Sequence, residues 1–393
     1  MQAEPFHIAI PQPDLDDLQH RLARVRWSPE LDNDDWRHGT SGRYLRELVD
    51  HWRTGFDWRA QERAMNQLPQ FRTQIEGTPI HFVHRRGRGP APMPLLLGHG
   101  WPWTFWDFQK VIEPLADPAR FGGDAGDAFD VVVPSLPGYA FSTPLAASGL
   151  NFWRTADLWV TLMDGLGYPR FAAQGGDWGA LVAAQLGHKY ADRLHGVHLH
   201  FLTPLGHFGG RSIDASEYAD DERHLLEANR RFVRDGSGYA ALQCTRPQTL
   251  AHALDDSPVG LCAWLVEKRR AWSDCGDDVE RVFSKDDLLT TVCLYWLTRS
   301  FGSSARYYYE AVHNRWQPSH DRQPVVEAPT GVAVFPRDVV HMPRRWIERY
   351  YRLERYTVMP SGGHFAPMER PEDLISDLRS FFRPLRTAVR NAR

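Results

Sequence analysis

The sequence predicts an α/β fold: a mostly parallel sheet with helices on both faces, a helical insertion, and an N-terminal arm that wraps the rest. Three observations predict it. Short, continuous apolar runs at Met93–Leu97, Phe129–Pro134, Phe171–Gln174 and Gly196–Phe201 alternate with helical patterns, as strands buried on both faces do. From about 205 to 312 the strand runs stop and helical patterns follow one another. Sheet-like runs then resume at Gly331–Phe335 and Tyr356–Met359. The spans expected are an arm over 1–90, a first core part over 91–204, a helical cap over 205–312 and a second core part over 313–393.

In the arm, Asp14 is placed to cap a helix whose Leu15, Leu18, Leu22 and Val25 share one face. A second helix over Ser41 to Trp52 and a third over Trp58 to Leu68 follow. Phe71–Ile75 and Thr78–Val83 flank Glu76-Gly77 and predict a hairpin. The basic run Arg85–Pro90 is expected as a solvated linker. In the core, helices are expected over Phe105–Leu115 and Asn151–Leu166. In the cap they are expected over Glu222–Arg234, Pro247–Leu254, Pro258–Trp272, Lys285–Trp296 and Ser303–Ala311. Pro247 and Pro258 each suit a first helical position, where a missing N–H costs nothing. A last helix over Pro371–Phe382 closes the chain.

A length of 393 residues suffices for a sizeable core, and a formal charge of -3 is no electrostatic footprint for nucleic acid. Cys244, Cys262, Cys275 and Cys293 lack metal-ligand spacing and read as reduced thiols. The opening Met1-Gln2-Ala3-Glu4-Pro5 carries no basic stretch leading into an apolar run. No window reaches about 18 continuous apolar residues. The expectation is a cytoplasmic protein that uses no metal.

The stretch with the most chemical content is Gly175-Gly176-Asp177-Trp178-Gly179, between an apolar strand and an apolar helix. Small residues on both sides of one raised side chain are what a sharp strand-to-helix turn requires. The pattern is that of a nucleophile elbow with Asp177 in place of Ser. A carboxylate serves as nucleophile where an alkyl ester is the intermediate. Gly98-His99-Gly100-Trp101-Pro102 also follows a core strand, and a backbone N–H there, with that of Trp178, would form an oxyanion hole. His364, in Pro360-Ser361-Gly362-Gly363-His364-Phe365, lies after the last strand, where a base is expected. Asp338, in Phe335-Pro336-Arg337-Asp338, falls between nucleophile and base in chain order and is favoured to fix the imidazole tautomer. Glu354 precedes the last strand and Glu369 follows His364, so both are weaker choices. Tyr239 and the run Tyr307-Tyr308-Tyr309 supply cap phenols able to act as acids; among 13 tyrosines, packing roles compete with that reading.

Together these motifs resemble the epoxide hydrolases of the α/β-hydrolase superfamily, in the branch similar to microsomal epoxide hydrolase. The resemblance also covers Pro5-Phe6-His7-Ile8 through Trp27, Val133–Ser142, Ser237-Gly238-Tyr239, Asp256–Leu261 and Ser304–Tyr308, so it spans nearly the whole chain. It implies a triad of Asp177, Asp338 and His364, with Tyr239 and Tyr308 as paired phenols. It further implies oxyanion donors at Trp101 and Trp178, no cofactor and a small epoxide substrate. No nucleic-acid or membrane partner is expected, and a homodimer is allowed. No counterpart of the membrane anchor of the microsomal animal enzymes is expected in this sequence. Haloalkane dehalogenases share the Asp elbow but need halide donors in place of phenols. A non-catalytic ligand-binding relative would be expected to lose part of the triad.

Overall fold

In a computed structural model, residues 2–207 and 213–390 are described. Residues 1, 208–212 and 391–393, which fall within the spans read as arm, cap and second core part, lie outside it. Among the described residues one sheet holds nine strands: β1 (Glu4–Pro5), β2 (Gln70–Ile75), β3 (Thr78–Arg85), β4 (Met93–Gly98), β5 (Phe129–Pro134), β6 (Phe171–Gly175), β7 (Leu194–Leu199), β8 (Val326–Val334) and β9 (Tyr351–Val358). Their order is β1-β2-β3-β5-β4-β6-β7-β8-β9. From β5 to β9 neighbours run parallel; β1, β2 and β3 join antiparallel.

The central strands are apolar throughout because helices cover both faces. Leu95, Leu96, Leu97, Val131, Val132 and Val133 are buried, and each such side chain contributes about 2 kcal/mol of burial. The hairpin forms as its sequence predicts, with Ile75 opposite Thr78. Its place differs from the expectation of an arm outside the sheet. Thr78–Arg85 pairs with β5, and Ile80, Phe82 and Val83 are fully buried. Apolar residues on both faces of β3 make it a sheet strand.

The arm's helices run over Gln12–Leu22, Gly42–Thr54 and Trp58–Met65. Asp14 is not the cap of the first: that helix starts two residues earlier, after Pro11, and Asp14 lies in its first turn. The stretch Phe105–Leu115 is not one helix. A 3₁₀ turn at Phe105–Phe108, capped reciprocally by Thr104 and Asp107, precedes a short helix at Ile112–Ala116. The arginines of the basic run are paired, Arg85 with Glu113 at 2.8 Å and Arg86 with Asp130 at 3.2 Å.

The cap contains the expected helices at Pro247–Leu254, Pro258–Ala271, Lys285–Leu297 and Phe301–His313. The first expected cap helix is a helix over Arg223–Arg231 that widens to a π turn at Phe232–Gly236. A further helix, Gly238–Thr245, carries Tyr239 in its first turn. The final helix spans Pro371–Arg390 and passes through Pro384. No described helix is long and apolar enough to cross a membrane.

Candidate active site

The candidate residues converge at the carboxyl ends of β4, β6, β8 and β9. Gly98 at the end of β4 pairs with Gly175 at the end of β6, so the two following turns leave the sheet side by side. Asp177 is the first residue of the elbow helix, Asp177–Lys189, whose N-terminus favours a negative charge. Its φ is +49°, a left-handed conformation that costs a non-glycine residue about 1–3 kcal/mol. The surroundings leave it no alternative. A Cβ on Gly179 would collide with the Gly98 backbone, and a Cβ on Gly100 would collide with the Asp177 carboxylate. The glycines therefore let two backbones touch and hold the carboxylate above the sheet.

The Trp101 N–H donates to Asp177 Oδ1 at 2.8 Å. His99 shapes that turn. Its Nε2 accepts from the Leu136 N–H at 3.0 Å, so Nδ1 carries the proton and donates to the Gly100 carbonyl at 3.0 Å. Burial pushes its pKa down to about 4, which keeps the ring neutral. The Trp101–Pro102 bond is cis. Trp178 follows Asp177 in the elbow helix; its ring lies edge-on to Tyr307 and Tyr308.

His364 sits on the loop after β9 and is fully buried. Its Nδ1–H donates to Asp338 Oδ1 at 2.7 Å, and Nε2 lies 3.4 Å from Asp177 Oδ2. Asp338 Oδ1 also accepts the Val339 N–H at 2.6 Å. Burial opposes a charge on His364, yet the two carboxylates outweigh it and raise its pKa to about 10. Glu354 is elsewhere, paired with Arg352 at 3.1 Å. Glu369 touches no imidazole nitrogen; it accepts backbone N–H groups on either side of His364.

Across the cavity stand the cap phenols. Tyr239 stacks on Trp101 at 5.1 Å between ring centroids, and Tyr308 meets Tyr239 edge-on at 5.9 Å. Burial raises both phenol pKa values; Asp177 adds to the rise in Tyr239, and Tyr239 then Asp177 add to it in Tyr308. The tyrosine run is separated by helical geometry. Tyr307 is turned to Thr155, its hydroxyl 2.8 Å from Oγ1, and Tyr309 stacks on His313. Tyr308 lines the same cavity as Asp177 and Tyr239. That cavity is about 480 Å³, walled by apolar side chains such as Leu181, Phe201, Phe232 and Met342.

One long-range support has no sequence signal. The cap's Arg269 reaches Asp107 at 2.5 Å and the Pro102 carbonyl at 2.9 Å, a buried pair 162 residues apart in the chain. Among the described residues no group of three His, Cys, Asp or Glu side chains is arranged to hold a metal.

A raised carboxylate at a strand-to-helix turn, facing a His–Asp pair beneath a helical cap, defines an α/β-hydrolase. The family model described as "alpha/beta hydrolase fold" matches residues 93–208, and the one described as "Epoxide hydrolase N terminus" matches residues 3–108. A protein of Stigmatella aurantiaca is 42% identical over 97% of this chain and 85% of its own. Epoxide hydrolase 1 of Oryctolagus cuniculus is 37% identical over 96% of this chain and 88% of its own. The solved Aspergillus niger epoxide hydrolase superposes with a TM-score of 0.85 at 31% identity, covering 98% of this chain and 97% of that one. The chain belongs to the epoxide hydrolase family.

Proposed function

We propose that this enzyme opens a small epoxide to a vicinal diol through a covalent ester on Asp177. The observation that carries the reading is His364, buried between Asp177 at 3.4 Å and Asp338 at 2.7 Å, with two phenols in the cavity that Asp177 lines.

Tyr239 and Tyr308 hold the epoxide oxygen. Asp177 Oδ2 attacks one ring carbon from the side opposite that oxygen. The carbon–oxygen bond breaks, and a phenol gives its proton to the leaving alkoxide. The supporting detail is that Oδ1 is engaged by Trp101, which leaves Oδ2 to bond carbon. Alkylation removes the charge of Asp177, one of the two that keep the proton on His364. The basicity of His364 falls and its proton passes to the phenolate, which restores the phenol and leaves a neutral imidazole. His364 then takes a proton from water, and the hydroxide adds to the Asp177 carbonyl carbon. Oδ1 becomes the oxyanion, met by the N–H groups of Trp101 and Trp178, each worth about 3 kcal/mol. Collapse breaks the bond from the carbonyl carbon to Oδ2. The new carboxyl proton goes to the diol alkoxide, and the starting charges return.

Mass spectrometry of His364→Gln after mixing with styrene oxide tests this. The expected result is a mass increase equal to the epoxide on the peptide carrying Asp177. An unmodified Asp177 peptide together with retained diol formation would overturn the ester mechanism.

A further inference from the structure

Four consecutive backbone N–H groups of the His364 loop have assigned acceptors, and all four lie on the cap or on Glu369. Gly362 donates to Asp274 Oδ2 at 2.9 Å, Gly363 to Glu369 Oε2 at 2.9 Å, His364 to the Trp272 carbonyl at 2.8 Å, and Phe365 to Glu369 Oε1 at 2.8 Å. Glu369 Oε2 also takes the Asp274 N–H at 2.7 Å. One carboxylate therefore clamps the residues on both sides of His364 and ties them to a cap segment. The contact is close: a Cβ on Gly363 would sit 2.6 Å from the Trp272 carbonyl oxygen. The Trp272 ring stands edge-on to the imidazole at 5.3 Å.

We propose that Glu369 and Asp274 are positioning residues that seat His364 against the cap, and that breakdown of the enzyme ester, more than its formation, depends on them. The inference rests on the ester mechanism above. Formation uses Asp177 and the two phenols, which the elbow turn and the cap helices hold. Breakdown needs Nε2 of His364 aimed at a water beside the Asp177 carbonyl. Hydrogen bonds from three backbone amides to Glu369 fix that aim. A displacement of about 1 Å at such a group costs up to about 100-fold in rate. A residue that merely stabilised the fold would lower both steps together, in proportion to the folded fraction.

Single-turnover rapid quench with styrene oxide, read by intact mass, separates the two steps in Glu369→Ala, Glu369→Gln and Asp274→Ala. In Glu369→Ala, ester decay is expected to slow about tenfold while ester formation stays within about twofold. Glu369→Gln keeps the shape and loses one acceptor oxygen, so it falls between that variant and wild type. Asp274→Ala, at the edge of the cap, is expected to slow decay about threefold and keeps the test alive where Glu369→Ala folds poorly. Equal slowing of both steps, or unchanged decay, overturns the positioning role while the ester mechanism stands. Failure to detect ester in His364→Gln, run alongside, overturns both.

Discussion

The two walls of the cavity hold their reactive groups by different means. On the sheet side the backbone does most of it, with Glu369 clamping the loop that carries His364. Asp177 is fixed at φ +49° by glycines that admit no side chain, and His364 and Asp338 are presented by loops at the ends of adjacent parallel strands. On the cap side aromatic packing does it. Tyr239 lies flat on Trp101, and Tyr308 stands edge-on between Trp101 and Trp178. Backbone placement leaves one position for each group. Ring packing leaves two phenols which, in the proposed mechanism, share one task. The sheet wall should therefore be intolerant of single changes and the cap wall tolerant of them.

The sharpest break of that contrast is Asp177→Ala. It should lower diol formation by about 10⁴-fold or more with the melting temperature retained; full activity would remove the basis of the comparison. Next is the cap pair. Tyr239→Phe and Tyr308→Phe should each cost about tenfold in kcat/KM, and the double variant about 10³-fold. A single phenol whose loss matched that of the double would show that the two do not share the role. A smaller change on the sheet side is one added methyl. Gly100→Ala, which pushes a Cβ into the Asp177 carboxylate, should cost about 100-fold, more than either single Tyr→Phe, although it removes no functional group.

A further effect is on stability and not on rate. His364 has its pKa raised to about 10 by the two carboxylates against the cost of burial. A group raised on folding stabilises fully below its unfolded pKa of about 6.5 and loses that contribution as pH rises through its folded value. Thermal melts should therefore show wild type losing stability between pH 6.5 and 10, with a flatter profile for Asp338→Asn. Parallel profiles for the two proteins would mean that the imidazole is not held charged.

The same contrast decides what could be read from the residues alone. Groups placed by backbone leave local signatures. Gly175-Gly176-Asp177-Trp178-Gly179 marks an elbow, and Gly98-His99-Gly100-Trp101-Pro102 marks a turn after a strand. The chain order of Asp177, Asp338 and His364 matches their spatial meeting at 2.7 and 3.4 Å. Groups placed by packing leave none: among Tyr307, Tyr308 and Tyr309 only family resemblance singled out Tyr308, and the helix carrying Tyr239 was not apparent. Arg269 with Asp107, and Glu369 with Asp274, join segments far apart in the chain, and no local pattern links them. The first arm helix starts ahead of the Asp14 cap signal because Pro11 and Pro13 allow it to begin at Gln12.

The strand Thr78–Arg85 has a bearing on handling the protein. Its main-chain groups cover the outer side of Phe129–Pro134, pairing Phe82 with Pro134 and Arg85 with Val131. A chain trimmed at residue 90 would keep every group around Asp177 and still expose Val131, Val132 and Val133 along an open strand edge. Such an edge recruits other chains. The arm thus acts as a guard against self-association, and truncations meant to isolate the catalytic half should lose solubility before they lose chemistry.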